Sequence, residues 1–169
     1  EYAVNLTAFA FHPTDSILAI GGSDHTVRLY RYNPTKLEPP TLVTQLTGHA
    51  GEVTAIAFSS NGSRVFSAAS DGVVKVWSLG KDAGVVATLL PRANEWAVVD
   101  SRGRFDCLDL EAVKSMHWVA PNDPFQPLPI EIFMRDYYEP KLLARVLAGE
   151  KLKPVRSLAE LNRVQPTIK

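Results

Sequence analysis

From Val53 to Phe58 the chain alternates in the order Val-Thr-Ala-Ile-Ala-Phe, a two-residue period that predicts a β-strand. A plain alternation assigns Val53, Ala55 and Ala57 to one face and Thr54, Ile56 and Phe58 to the other. Ser60-Asn-Gly-Ser63 interrupts the pattern with residues that tolerate the backbone of a tight turn. Arg64 to Ala68 predicts a second strand, Ser70-Asp71-Gly72 a second turn, and Val73 to Trp77 a third strand. Upstream, Thr41 to Leu46 predicts one more strand, followed by Thr47-Gly48-His49. Apolar residues on both faces mean that a sheet of such strands must be covered on both sides.

The pattern is written twice. Residues 6–32 lie over residues 53–79 without a gap at an offset of 47. Phe11 falls on Phe58, Ser23-Asp24 on Ser70-Asp71, Val27 on Val74 and Tyr30 on Trp77. A period in this range marks stacked supersecondary units, none of which buries its apolar surface unaided. Short strands joined by hairpins at this spacing suggest the blades of a propeller.

Gly48-His49, the Ser70-Asp71-Gly72 turn and Val74-Lys-Val-Trp77 resemble the GH and WD landmarks of WD-repeat proteins. The resemblance covers residues 1 to about 90 and implies a structural tetrad of His49, Ser67, Asp71 and Trp77. An imidazole held between a carboxylate and a hydroxyl is satisfied on both nitrogens, so a structural role is expected despite the likeness to a catalytic triad. The first copy keeps Asp24 and has Tyr30 for the tryptophan, a partial tetrad. Ile20 replaces its serine, and Glu1-Tyr2 stands where Gly-His would be.

After Leu79 the repeat dissolves. Val85 to Leu90 aligns with Thr41 to Leu46 and is expected to form the outer strand of a following blade. Residues 95–107 read as a hairpin turning at Asp100 to Gly103, and His117-Trp118-Val119 as a further strand. Leu110 to Met116 reads as a short amphipathic segment, and Pro121 to Pro129 as a proline-rich loop. Helices are expected near 130–138, carrying Ile132, Phe133, Tyr137 and Tyr138, and at 140–148, with Pro140 at the start and Gly149 as C-cap. Ser157-Leu-Ala-Glu160 has capping-box spacing, and the linker tail Val164 to Lys169 reads as an entry strand into something that follows. The fold class expected is therefore mainly β: a partial WD-repeat β-propeller of about two blades in residues 1–90, then a small α/β appendage in 91–169. WAVVDSRGRFD, HWV, DYYEPKLLARVLAGE and PVRSLAELN, in that order, resemble the segment after the propeller in multidomain bacterial WD-repeat proteins, some of which carry a caspase-like peptidase domain.

Composition narrows the chemistry. Eighteen basic residues balance eighteen acidic ones, so no overall charge draws the chain to nucleic acid or a membrane. Apolar content of 46% and charged content of 21% suit a globular domain, and no apolar run reaches the roughly 18 residues of a spanning helix. No stretch at the start reads as a signal peptide, and beginning at Glu1 inside the repeat phase the chain is expected to be a fragment of a larger ring. The single cysteine, Cys107, is expected as a small buried hydrophobe rather than a nucleophile paired with His117. His12, His25, His49 and His117 lack metal-ligand spacing, and Gly21-Gly22 sits in a hairpin rather than a phosphate loop. Arg102, Arg104, Arg135, Lys141 and Arg145 alternate with Asp100, Asp106, Asp136 and Glu139, which predicts a solvated mixed-charge surface. No catalytic residue, cofactor or metal is expected. The expected partners are other blades of the parent propeller and a further protein, in the cytoplasm, with neither nucleic acid nor membrane. The alternative is a sensor or regulatory region of a caspase-like protease whose catalytic domain lies outside the chain.

Overall fold

The hydrophobic alternation becomes two packed antiparallel sheets in the computed structural model, which describes residues 4–80, 83–110, 113, 116–120 and 123–156. The first sheet runs β1 (Leu6–Phe11), β2 (Ile17–Gly22), β3 (Val27–Arg31) and β4 (Thr41–Leu46), in chain order. The second repeats that order with β5 (Val53–Phe58), β6 (Arg64–Ala69), β7 (Val74–Ser78) and β8 (Gly84–Pro91). It then continues outward through β9 (Trp96–Asp100) and β10 (Phe105–Cys107), giving six strands.

Several strand expectations change. Pairing shifts between Val53 and Ala55, a bulge that places Val53 in the same core as Ile56 and Phe58. One extra residue reverses the side-chain phase before it, so the simple alternation across Thr54 fails. Residues 85–90 do not begin a following blade, because β8 pairs with β7 and completes the second one. Residue 90 lies inside β8, and the sheet crosses it without interruption. The proline-rich stretch is not a loop throughout, since β12 (Asp123–Leu128) pairs with β11 (Trp118–Ala120). In a two-stranded ribbon both strands are edges, where a missing proline N–H can point away from the partner.

Residues 130–138 contain a 3-10 turn, Ile130–Phe133, followed by a single helical turn, α1 (Met134–Tyr137). Ile132 faces out while Ile130, Phe133 and Tyr137 are buried. Helix α2 (Leu142–Leu147) is shorter than expected and begins after Lys141 rather than at Pro140, with Lys141 in the left-handed region. Its other end is as expected. Gly149 adopts φ +73°, its N–H reaches the Val146 carbonyl, and the Glu150 N–H reaches Arg145, a Schellman closure. Ser157 to Glu160, Val164 to Lys169 and Glu1-Tyr2 lie outside the described residues.

Three cores result. Between the blades, Ala19, Val27, Leu29 and Leu46 of the first pack against Val53, Val65 and Trp77 of the second. On the far side of the second blade, Val76, Ala87 and Val98 pack with Leu142 of α2, and Phe66, Leu89, Leu143 and Val146 join them. A third core joins β9 and β10 to the C-terminal segments through Ala97, Phe105, Cys107, Ile130, Phe133 and Tyr137. Trp118, partly buried, packs against it. Its ring is 4.8 Å from Tyr137 and 5.6 Å from Phe133, and its Nε1–H donates to the Ile130 carbonyl at 3.1 Å. The aromatic residues of this half therefore pack against one another.

His12 locks the two blades at one end. Its Nε2–H donates to the Gly62 carbonyl at 3.0 Å, and its ring lies edge-on to Phe58. Gly62 has φ +70°, and a Cβ there would come within 2.1 Å of His12 Nε2. Gly62→Ala is expected to destabilise the chain by about 1–3 kcal/mol, because a side chain in that backbone region is strained as well as crowded. Denaturant unfolding measures the loss. A recovery of part of it on combining Gly62→Ala with His12→Ala would identify the steric share, and strict additivity would refute the contact.

Candidate functional site

Strand alternation aims Ser67 of β6 and Trp77 of β7 at the core between the blades, while His49 arrives on the loop before β5. An indole N–H can only donate, and Trp77 Nε1–H donates to Ser67 Oγ at 2.7 Å. The serine hydrogen is then free for His49 Nε2 at 2.8 Å. That leaves the His49 Nδ1–H facing Asp71 Oδ2 at 2.9 Å. Asp71 accepts two backbone hydrogens as well, from Ala50 at 2.9 Å and from Val73 at 3.1 Å. All four residues expected in the tetrad thus form one directional chain, from indole to carboxylate.

Burial opposes the ionised form of Asp71, but the Ala50 amide, the His49 imidazole and the Val73 amide outweigh it and lower the pKa. The Ser67–His49–Asp71 connectivity is that of a hydrolytic triad, yet Ser67 is 1% exposed and the His49 side chain 0%. Its hydroxyl lies in mid-strand under Trp77, with its hydrogen and an acceptor site already engaged. A nucleophile must reach a substrate carbonyl, and this one reaches an indole. The arrangement joins a loop, a turn and two strands; it has no room for a reacting molecule.

The first blade assembles differently. Asp24 turns to Arg28, which it meets through both guanidinium nitrogens, with Nη1 at 3.1 Å. The Arg28 hydrogen bonds hold its carboxyl below the usual carboxylate range against the opposing effect of burial. With Ile20 in the serine position, Tyr30 has no such hydroxyl to meet, and the polar chain is replaced by a half-exposed ion pair. Such pairs contribute about 0–1 kcal/mol.

Cys107 is buried among Phe105, Ala97 and Val113. Burial raises its pKa, and the carboxylates of Asp106 and Asp109 raise it further, the reverse of what an activated thiol needs. His117 is exposed. Among the described residues, no three His, Cys, Asp or Glu side chains gather as a metal site requires. No helix there is long and apolar enough to cross a membrane.

The mixed-charge surface expected near the hairpin is only partly a surface. Arg145, which contacts Glu139 and forms a forked pair with Glu150, fits that expectation. Asp100, Arg104 and Asp106 do not, being 6–7% exposed. Asp100 accepts from the Arg102 and Arg104 amides at 2.9 Å and from Arg104 Nε at 2.7 Å, closing the hairpin turn. The Arg104 guanidinium reaches on to the Lys153 carbonyl, tying the hairpin to the C-terminal segment. Asp106 falls between Phe105 and Cys107, so the strand period turns it to the opposite face, where it accepts from the Leu142 N–H at 3.3 Å. The Asp-Ser-Arg-Gly order made the turn legible in sequence; nothing local announced the burial.

Residues 3–31 and 40–78 match the family model described as WD domain, G-beta repeat. Pre-mRNA-processing factor 19 homolog 2 of Arabidopsis thaliana is 42% identical over 78 residues, covering 46% of this chain and 14% of that protein. Striatin of Rattus norvegicus is 32% identical over 81 residues, covering 43% and 10% respectively. The match spans only a small part of either relative. Among solved structures, Saccharomyces cerevisiae Sqt1 aligns with 73% of this chain and 34% of its own, at a TM-score of 0.47 and 18% identity. Residues 3–31 and 40–78 are thus similar to WD repeats, in a mainly β chain with a small helical C-terminal part.

Trp77→Ala is expected to cost about 3–5 kcal/mol in denaturant unfolding, the range for a large buried aromatic. Asp71→Ala should cost about 1–3 kcal/mol by leaving the His49 N–H without its acceptor. Because folding lowers the Asp71 pKa, the unfolded chain binds more protons than the folded one as the solution is acidified. Stability from this group is thus full above the unfolded carboxylate pKa and lost as pH falls through the folded one. Asp71→Asn should flatten stability against pH in that acid window, and an unchanged slope would show that the carboxylate contributes nothing there.

Proposed function

We propose that this chain is a non-catalytic protein-interaction or scaffold part of a larger WD-repeat protein. The observation that carries the reading is the sheet face of the first blade that points away from the second. Phe9 and Phe11, at 70% and 58% exposure, lie there at the positions of Ile56 and Phe58. In the second blade those positions pack against the first. The occupant this supports is another blade of the parent propeller, offering small apolar residues of the Ala19, Val27 and Leu29 kind. The sealed Ser67–His49–Asp71 chain and the raised Cys107 pKa support the absence of catalysis.

A second reading rests on the order of motifs between residues 94 and 169: the regulatory part of a caspase-like bacterial protease whose catalytic domain lies elsewhere. The lone Cys107, with no second cysteine to oxidise onto, supports a cytoplasmic setting for either reading.

Peptidase and esterase assays on the purified chain should give no turnover. Turnover abolished by Cys107→Ala or Ser67→Ala would sink the non-catalytic reading. For the open face, Phe9→Ser with Phe11→Ser should weaken binding of a hydrophobic dye to this chain without lowering its unfolding midpoint. A large loss of stability would mean that those rings already serve the chain's own core.

A further inference from the structure

The joint between the two blades is asymmetric, and the chain carries a spare half of it at each end. The first blade contributes Ala19, Val27, Leu29 and Leu46, and the second contributes Ile56, Phe58, Val65 and Trp77. By the repeat, the half that the second blade contributes recurs on the first as the exposed Phe9 and Phe11 with Leu18 and Tyr30. The half that the first contributes recurs on the second. Phe66 and Val76 match Ala19 and Leu29 in the repeat, and Leu89 pairs with Val74 as Leu46 pairs with Val27. Val76 is buried and Phe66 and Leu89 are partly so, in one cluster with Leu142, Leu143 and Val146 of α2.

Helix α2 thus does for the second blade what the second blade does for the first. We propose that it is an end cap standing in for a third blade, and that what it excludes is the first-blade face of a second copy of this chain. Two unlike, complementary faces on one molecule define a head-to-tail contact that propagates unless one is blocked. The block is held at three points. Asp106 accepts the Leu142 N–H at 3.3 Å, Arg64 Nη2–H donates to the Val146 carbonyl at 2.8 Å, and Gly149 closes the last turn. A six-residue helix has little stability of its own, so its presence depends on the sheet beneath it.

Sedimentation of the full chain over a range of concentrations tests this. Wild type should keep single-chain mass, while Leu142→Asp with Val146→Asp should assemble into larger species as concentration rises. Adding Phe9→Asp and Phe11→Asp should restore single-chain mass, since head-to-tail stacking needs both faces. Assemblies that persist in the fourfold variant, a folded double variant that stays single, or wild type assembling as readily as the variant would each overturn the proposal. Should the double variant lose its fold, Arg64→Ala removes one fastening without touching the core. It should raise amide exchange in α2 ahead of β6 and β7 and increase mass with concentration, and no change in either would equally overturn it.

Discussion

A short-stranded sheet with apolar residues on both faces gains stability as each is covered, and most larger features of this molecule answer that requirement, the outer face of the first blade excepted. A single hairpin cannot do it, because each face spans four strands. A helix of a few residues suffices where the sheet has been widened and tied down, as β9 and β10 do for the second blade. The first blade takes the other solution and uses a neighbour of its own kind. These two coverings differ in what they fix. A sheet against a sheet interlocks side chains over a broad area, whereas the helix rests on about three of its side chains and a few hydrogen bonds.

Within that frame the polar chain from Trp77 to Asp71 connects parts that apolar packing would leave adjustable. Hydrophobic contact is tolerant of small slides; a donor aimed at one acceptor is not. The loop bearing His49 and the turn bearing Asp71 are therefore held to strands β6 and β7 in one arrangement. The same four residue types would be a catalytic candidate if the serine opened to solvent. What separates the two roles is access, since the distances resemble those a hydrolase uses.

The sequence made the repeat, its hairpins and the tetrad legible because each rests on local spacing: an offset of 47, a two-residue period and glycines at positive φ. It misread the phase of Val53, because a bulge adds one residue without changing composition. It placed residues 85–90 in a following blade because strand order cannot be counted when the last repeat breaks off. The inward turn of Asp100, Arg104 and Asp106 was hidden for another reason. Arg104 and Asp106 meet Lys153 and Leu142, 49 and 36 positions away, and charge patterning carries no record of such partners. Strand β12 was masked by its own prolines, which exclude a central strand but permit an edge.

The wedge of His12 over Gly62 bears on how the duplicated segments have come to differ. The position of His12 in the second copy is Ser59, and the position of Gly62 in the first is Asp15. Neither can reproduce the contact, since Asp15 has no vacancy for a ring and Ser59 has no ring to offer. The two copies are therefore no longer interchangeable parts. Exchanging their order would keep most apolar positions of the repeat and still lose this joint, so that each copy carries an address as well as a shape. In a protein assembled from near-identical units, such one-off contacts determine which unit stands next to which.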